Sequence, residues 1–226
     1  MSNSKNKFLF KNHGYLVKEN FLSREFCEKT LNVCENLNYN NNSIFNISFE
    51  QIKHNKNLKE IYNLIQLYLD KNIDFDYYLS NLKFITTLEN HPKEDLPYIP
   101  HIDKNRYLKV FLYLHDVTEH DGPLTISENS DVKKNEEKRS AYWKKDAPDE
   151  IKKYDLAFGE KSICKPQVYN AGTIITFDTN VSHLAGEVKK NRSRKILRFT
   201  FNFMHQGERF LTFKLRKFKS KLANQI

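Results

Sequence analysis

Apolar positions recur at three- and four-residue spacing in two early stretches and at every second residue in several later ones. Residues 58–71 place Leu58, Ile61, Tyr62, Ile65, Tyr68 and Leu69 along one helical face. Phe26, Thr30, Leu31, Cys34 and Leu37 follow the same period behind Ser23, a residue type that caps helix N-termini, and an Asn-rich break at 38–43 ends that helix. Residues 8–22 read as a short strand or extended segment. The pattern thus predicts two helices ahead of everything that reads as sheet. After residue 80 the period changes to two, over 82–88, 106–114, 123–127, 166–170, 173–178 and 195–203. Asp121-Gly122-Pro123 and Ala171-Gly172 supply turns between these runs. Short strands so punctuated predict a sandwich or barrel, and with the helices an α+β fold. The charged stretch between 127 and 166 holds the only tryptophan, Trp143, and is too long for a hairpin loop. It is expected as a lid or a helical excursion.

A chain of 226 residues can bury one core but not two comfortable ones, and no repeat or low-complexity linker divides it. One domain over 1–226 is expected, with a helical part to about 80, a β core over about 81–205 and a basic tail from about 206. The aromatic content of 13% excludes a disordered chain despite a mean hydropathy of −0.71. No apolar run approaches the roughly 20 residues of a membrane span, and the first residues lack a cleavable leader pattern, so a soluble cytoplasmic protein is expected. Cys27, Cys34 and Cys164 are few and odd in number, and the first two share a helix face, which suits buried thiols in a reducing compartment. The net charge of +9 raises nucleic acid, an anionic membrane and an acidic substrate as partners. Much of the excess, however, sits in Lys214, Arg216, Lys217, Lys219 and Lys221, and no nucleic-acid-binding signature is present. That tail reads as a solvated face, and a small-molecule substrate is the expected partner.

Chemistry concentrates at Pro100-His101-Ile102-Asp103, where His101 and Asp103, two apart at the mouth of a strand, leave the same face. One nitrogen and one oxygen ligand make two corners of a metal site. The candidate third is His183, just past the end of a later strand. Two histidines and one carboxylate leave metal positions open, as non-haem Fe(II) oxygenases require for cosubstrate and O₂.

These residues sit in a wider pattern. The opening HisGlyTyrLeuValLysGluAsnPheLeuSerArgGluPhe, ProHisIleAsp, Leu114-His115-Asp116-Val117-Thr118 through Asp121-Gly122-Pro123-Leu124, and Ala171-Gly172-Thr173 leading to His183 together resemble the phytanoyl-CoA dioxygenase-like Fe(II)/2-oxoglutarate oxygenases. The resemblance implies a double-stranded β-helix, a jelly-roll of cupin type, with the N-terminal helices packed on one sheet. It implies that His101, Asp103 and His183 bind Fe(II), with 2-oxoglutarate and O₂ as cosubstrates. Arg194, eleven residues after His183, stands at the spacing of the arginine that holds the far carboxylate of 2-oxoglutarate. The implied reaction is hydroxylation of an unactivated C–H with release of succinate and CO₂. Family members that halogenate lack the carboxylate that Asp103 supplies. The chain departs from the family at Ser127-Glu128-Asn129-Ser130-Asp131 and at Ala185, positions around cosubstrate and substrate. Substrate identity is therefore not carried over, and a coenzyme A thioester is not implied.

Residues 194–203 support the resemblance independently: Arg194, Ile196, Arg198, Thr200 and Asn202 alternate with Lys195, Leu197, Phe199, Phe201 and Phe203. If the apolar face packs on the helices, two arginines look into the barrel, where they are costly unless they bind an anion. A solvated outer face is the other reading. The same parity sets Tyr107, Lys109, Phe111 and Tyr113 on the face of His101 and Asp103, if the strand runs unbroken through 104–106. Tyr107 then packs on the cosubstrate or simply fills the core, and Lys109 or Arg198 rivals Arg194 as its anchor. His115 and His120 either form an accessory metal site or merely bound a turn. Tyr142, Trp143 and Tyr154 are candidate substrate contacts on a lid whose lysines favour a polar or anionic substrate. Two other classes compete: a cupin-type metal enzyme that does not use 2-oxoglutarate, and a non-enzymatic basic interaction module.

Overall fold

The helical period over 58–71 becomes α4 (Lys56–Asn72), whose N-cap Asn55 accepts from the Leu58 amide and whose Leu58, Ile61, Ile65 and Leu69 are buried. A computed structural model describes residues 2–89, 98, 100–103, 105–128, 130–143, 164–203 and 210–223. Ahead of α4 lie α1 (Ser2–His13), β1 (Tyr15–Lys18), α2 (Arg24–Leu37), β2 (Ile44–Ile47) and α3 (Phe49–His54). After it come β3 (Tyr77–Leu88), β4 (Leu108–Tyr113), β5 (Leu124–Ser127), α5 (Val132–Trp143), β6 (Cys164–Pro166), β7 (Ile174–Asp178), β8 (His183–Ala185), β9 (Ser193–Phe203) and α6 (Phe210–Ala223). Ser23 caps α2 by accepting from the Phe26 amide.

The strand expected within 8–22 is present as β1, Tyr15–Lys18, but it is shorter than that span and a helix precedes it. Phe8–His13 belongs to α1, not to a strand, and the helix stops at Gly14, whose φ of +73° suits the left-handed position after a helix end and whose amide donates to Phe10 O. β1 and β2 also precede β3, pairing with β7 and with β3.

Among the described residues nine strands form two antiparallel sheets, six in the order β1-β7-β4-β9-β3-β2 and three in the order β6-β5-β8. β9 shows why two faces of the large sheet differ. Leu197, Phe199, Phe201 and Phe203 join one apolar cluster with Leu58, Ile61, Ile65 and Leu69 of α4 and Cys27 and Cys34 of α2. Ile196, of the opposite parity, joins a second cluster with Phe111, Ile175, Phe177, and Leu124 and Ile126 of the small sheet. Arg194, Arg198, Thr200 and Asn202 thus share the inner face, turned toward the small sheet, and the reading that gave them a solvated outer face is set aside. Burying one Phe or Leu side chain stabilises by about 1.5–3 kcal/mol, so helix-side packing of β9 anchors the strand that carries the arginines.

All three cysteines are buried and none is in a disulfide. Burial pushes the Cys27 thiol up to about 11 and the Cys34 thiol up to about 12. Both are protonated at pH 8, where the thiolate is the reactive form. Native protein at pH 8 should therefore leave Cys27 and Cys34 unlabelled by Ellman's reagent over minutes, and denaturant should expose all three thiols to fast labelling. Fast native labelling of either would mean the α2 face is not packed as described. Among the described residues no helix is long and apolar enough to cross a membrane.

Candidate metal centre

The three ligand candidates reach one point from two chain segments. His101 and His183 form an isolated antiparallel bridge, His101 N donating to His183 O at 3.0 Å and His183 N to His101 O at 2.9 Å. Asp103 N donates to Thr179 O at 3.3 Å, which pins the carboxylate against the loop leading to β8. His183 follows the end of β7 by five residues, as expected, and opens β8, where it pairs with Ile126. The ligating atoms of His101, Asp103 and His183 all lie within 4.8 Å of one another, the only such cluster of three or more His, Cys, Asp or Glu among the described residues. Asp103 Oδ1 is 3.9 Å from His101 Nε2 and 3.6 Å from His183 Nε2. The imidazole centroids are 4.6 Å apart.

Neighbouring groups fix the donor states. His183 Nδ1 is 2.8 Å from Val181 O, an acceptor only, so Nδ1 donates there and Nε2 is the nitrogen turned toward Asp103. Phe177 closes the other side, its ring centroid 5.0 Å from that of His183. Burial alone would raise Asp103, but the Lys109 ammonium and then His183 outweigh it and hold the carboxyl well below the usual carboxylate range. Lys109 Nζ sits 2.5 Å from Asp103 Oδ2, leaving Oδ1 to face the two imidazoles. Two imidazole nitrogens and one carboxylate oxygen within reach of one point are the donor set a divalent transition metal accepts with positions to spare.

Deeper between the sheets, Arg194 is 5% exposed. It donates to Gly122 O and, at 3.3 Å, to Thr87 Oγ1, while its Nε has no hydrogen-bond partner. Burial pushes its guanidinium pKa down, and among the described residues the groups acting on it are the hydroxyls of Tyr113 and Tyr98 and no acid. Gly122, whose carbonyl accepts this bond, packs its turn against residues 186–188: its φ is +68°, and a Cβ there would lie 2.6 Å from Val188 Cγ2 and 2.7 Å from Gly186 O. Tyr113 Oη closes the pocket floor, donating to Gln167 O and accepting from Leu124 N.

The other candidates fall in distinct places. β4 starts at Leu108 and residues 105–107 lie outside it, so the strand expected from 106 begins later; Lys109 nevertheless meets Asp103. The Tyr107 amide donates to Thr179 Oγ1 at 2.8 Å and its hydroxyl accepts from Asn105 Nδ2 at 3.3 Å. Arg198 is on the inner face of β9 beside Asp103 and Lys109. His115 takes a structural position, its Nε2 accepting from Lys195 N at 2.9 Å and its Nδ1 bonded to Asp116 O at 2.7 Å. Tyr142 and Trp143 end α5, but their side chains, and Tyr154 altogether, lie outside the described residues.

The sequence reading did not find the polar network that ties α5 to the metal loop. Asn135 Nδ2 donates to Asn180 O, Asn180 Nδ2 to Glu136 Oε2, and Arg106 grips Asp178 through Nε and Nη2. The start of the 127–166 segment is thus a helical excursion anchored beside His183. Its only sequence signal was a run of polar residues, Asp178-Thr179-Asn180, at the end of an apolar strand.

Neither a family model nor a curated protein matches the chain. Solved structures do match. The non-haem alpha-ketoglutarate-dependent epimerase SnoN from nogalamycin biosynthesis superposes with a TM-score of 0.62 at 14% identity, over 93% of this chain and 88% of that one. HygX from Streptomyces hygroscopicus, solved with nickel and 2-oxoglutarate bound, superposes with a TM-score of 0.59 at 12% identity, over 88% and 85%. The chain shares their fold. It is a mixed fold of helices and antiparallel sheet, matched over most of its length in enzymes that bind iron or nickel and 2-oxoglutarate.

Proposed function

We propose that this chain is a non-haem Fe(II)/2-oxoglutarate-dependent oxygenase of the phytanoyl-CoA dioxygenase-like kind, built on a double-stranded β-helix, that hydroxylates an unactivated C–H of a small polar or anionic substrate. The observation that carries the reading is a buried His101–Asp103–His183 cluster paired, on the same inner face, with a buried arginine whose Nε lacks a partner. The structures of SnoN with Fe³⁺ and alpha-ketoglutarate and of HygX with 2-oxoglutarate, on the same fold, support it.

The residues present fit both groups. His101, Asp103 and His183 would hold Fe(II), and Arg194 the far carboxylate of 2-oxoglutarate. When bound, the pair supplies O₂-dependent oxidation coupled to decarboxylation of 2-oxoglutarate to succinate and CO₂. Val181 O orients His183, and Lys109 engages Asp103 Oδ2 so that Oδ1 is the donor left for the metal. Asp103, held ionised, is a ligand and not a proton acceptor. Phe177 and Phe111, 5.3 Å apart edge to face, line the inner face with apolar surface that keeps water away. Lys109 stands beside the metal ligand Asp103, and Tyr142, Trp143 and Tyr154 remain the substrate-side candidates.

The test is anaerobic titration of Fe(II)-loaded protein with 2-oxoglutarate, followed by visible absorption. One equivalent of iron and a saturable band are expected; iron uptake without any band would favour the cupin-type enzyme that does not use 2-oxoglutarate. In a subsequent substrate screen by mass spectrometry, a product heavier by one oxygen indicates hydroxylation. A product of unchanged mass with altered configuration would place the chemistry with SnoN, described as an epimerase.

A further inference from the structure

The inner face of the large sheet carries more positive charge than the proposed cosubstrate uses. Strand register sets Lys83 opposite Arg198 and Arg198 opposite Phe111, while Lys109 occupies the next rung of the same parity, opposite Thr200. Ile85 and Ile196, two residues from Lys83 and Arg198, pack in the cluster between the sheets, so all three cations share that face. They act on one another: burial and then Arg198 lower the Lys83 pKa, and Arg198 and Lys83 both oppose protonation of Lys109.

Compensation is thin. Among the described residues, the only acid acting on any of the three is Asp103, already bonded to Lys109 and proposed as a metal ligand. Arg198 Nε is buried without a hydrogen-bond partner. Neither Arg198 nor Lys83 makes an ion pair or hydrogen bond to a described residue. Like charges gathered in a partly dry cleft are costly unless an anion joins them. The far carboxylate of 2-oxoglutarate does not serve this purpose. Arg194 and Arg198 are four residues apart, about 13 Å along an extended strand, and the charged neighbours of Arg194 are Tyr113 and Tyr98, while those of Arg198 are Asp103, Lys109 and Lys83.

We propose that Lys83 and Arg198 form an oxyanion subsite for a carboxylate or phosphate group of the primary substrate, placed beside the metal ligands. The inference rests on the oxygenase reading and adds its substrate class: a small acid whose charged end docks on the β3–β9 rung while the bond to be oxidised faces the metal. The planar guanidinium offers parallel N–H donors to two oxygens, and Lys83 adds a point charge from the adjacent strand.

Inorganic phosphate is a sufficient probe. The full chain, loaded anaerobically with Fe(II) and saturating 2-oxoglutarate, is titrated with phosphate while the ³¹P line width reports broadening by the nearby paramagnetic iron and the visible band reports the cosubstrate. Saturable broadening is expected with the band retained. Arg198→Met and Lys83→Met should each weaken the phosphate midpoint about tenfold or more, Arg198→Lys should restore part of it, and the 2-oxoglutarate midpoint should move less than about threefold. A band with no saturable phosphate binding, or equal midpoints in parent and variants, overturns the subsite. So does an Arg198→Met protein that loses 2-oxoglutarate but keeps phosphate, because the cations then serve the cosubstrate. If no band forms yet phosphate broadening still depends on Arg198 and Lys83, the cosubstrate reading fails and the oxyanion subsite stands. Loss of phosphate together with the band counts against both.

Discussion

His183→Ala protein, given Fe(II) and 2-oxoglutarate without air, should develop none of the visible absorption that the parent chain develops. His183 supplies one of only three protein donors in the cluster, and its Nε2 already faces Asp103 Oδ1 across 3.6 Å. Removing an outer-sphere partner of a metal ligand commonly costs 10–100-fold in metal affinity, so removing the ligand itself should cost at least about 100-fold. His115→Ala is the matched comparison. His115 is a half-buried histidine near the same sheet whose Nε2 accepts from the Lys195 amide. Its loss leaves a backbone donor unpaired, a cost of about 1–3 kcal/mol in stability, with the absorption intact. The two variants thus separate loss of a ligand from loss of a fold, by melting temperature against band amplitude. An undiminished band in His183→Ala would place the metal elsewhere.

The metal cluster was readable because its parts are local or periodic. His101 and Asp103 are two apart, and the alternation along β9 assigns Arg194 and Arg198 to one face without any long-range information. The amphipathic period of α4 and the Ser23 cap were readable for the same reason. What escaped depends on register or on weak local signals. Lys83 is one lysine in an alternating strand until pairing puts it opposite Arg198. Arg106 and Asp178 are 72 residues apart and meet only because β7 and β4 are neighbours. α1 carries three consecutive apolar residues, Phe8-Leu9-Phe10, a run too short for its period to separate helix from strand. The capping box of α3, Ser48 with Gln51, was present in the sequence and brief enough to be passed over between two longer helices. β8 spans three residues, too few for any period to show.

Arg194→Met should weaken 2-oxoglutarate binding roughly 30- to several-thousand-fold. Truncating one partner of a buried, hydrogen-bonded charge pair costs about 2–5 kcal/mol, which converts to that range. Methionine keeps much of the apolar volume and removes the fork, so the loss reports charge and hydrogen bonding more than packing. Arg194 also props the turn at Gly122 O, and a fall in stability is expected alongside; the comparison that isolates its binding role is made with ligands. A 2-oxo acid of the same length without the far carboxylate gives the guanidinium nothing to hold. The parent should bind that analogue much more weakly than 2-oxoglutarate, and Arg194→Met should bind the two within a few-fold of each other, because the coupling between residue and carboxylate has gone. Arg194→Lys should fall between, retaining the charge without two parallel donors. Undiminished discrimination in Arg194→Met, with discrimination lost instead in Arg198→Met or Lys109→Met, would move the anchor to the cation cluster beside Asp103. That outcome would also withdraw the oxyanion subsite, since both assignments divide the same inner-face charges between two different acids.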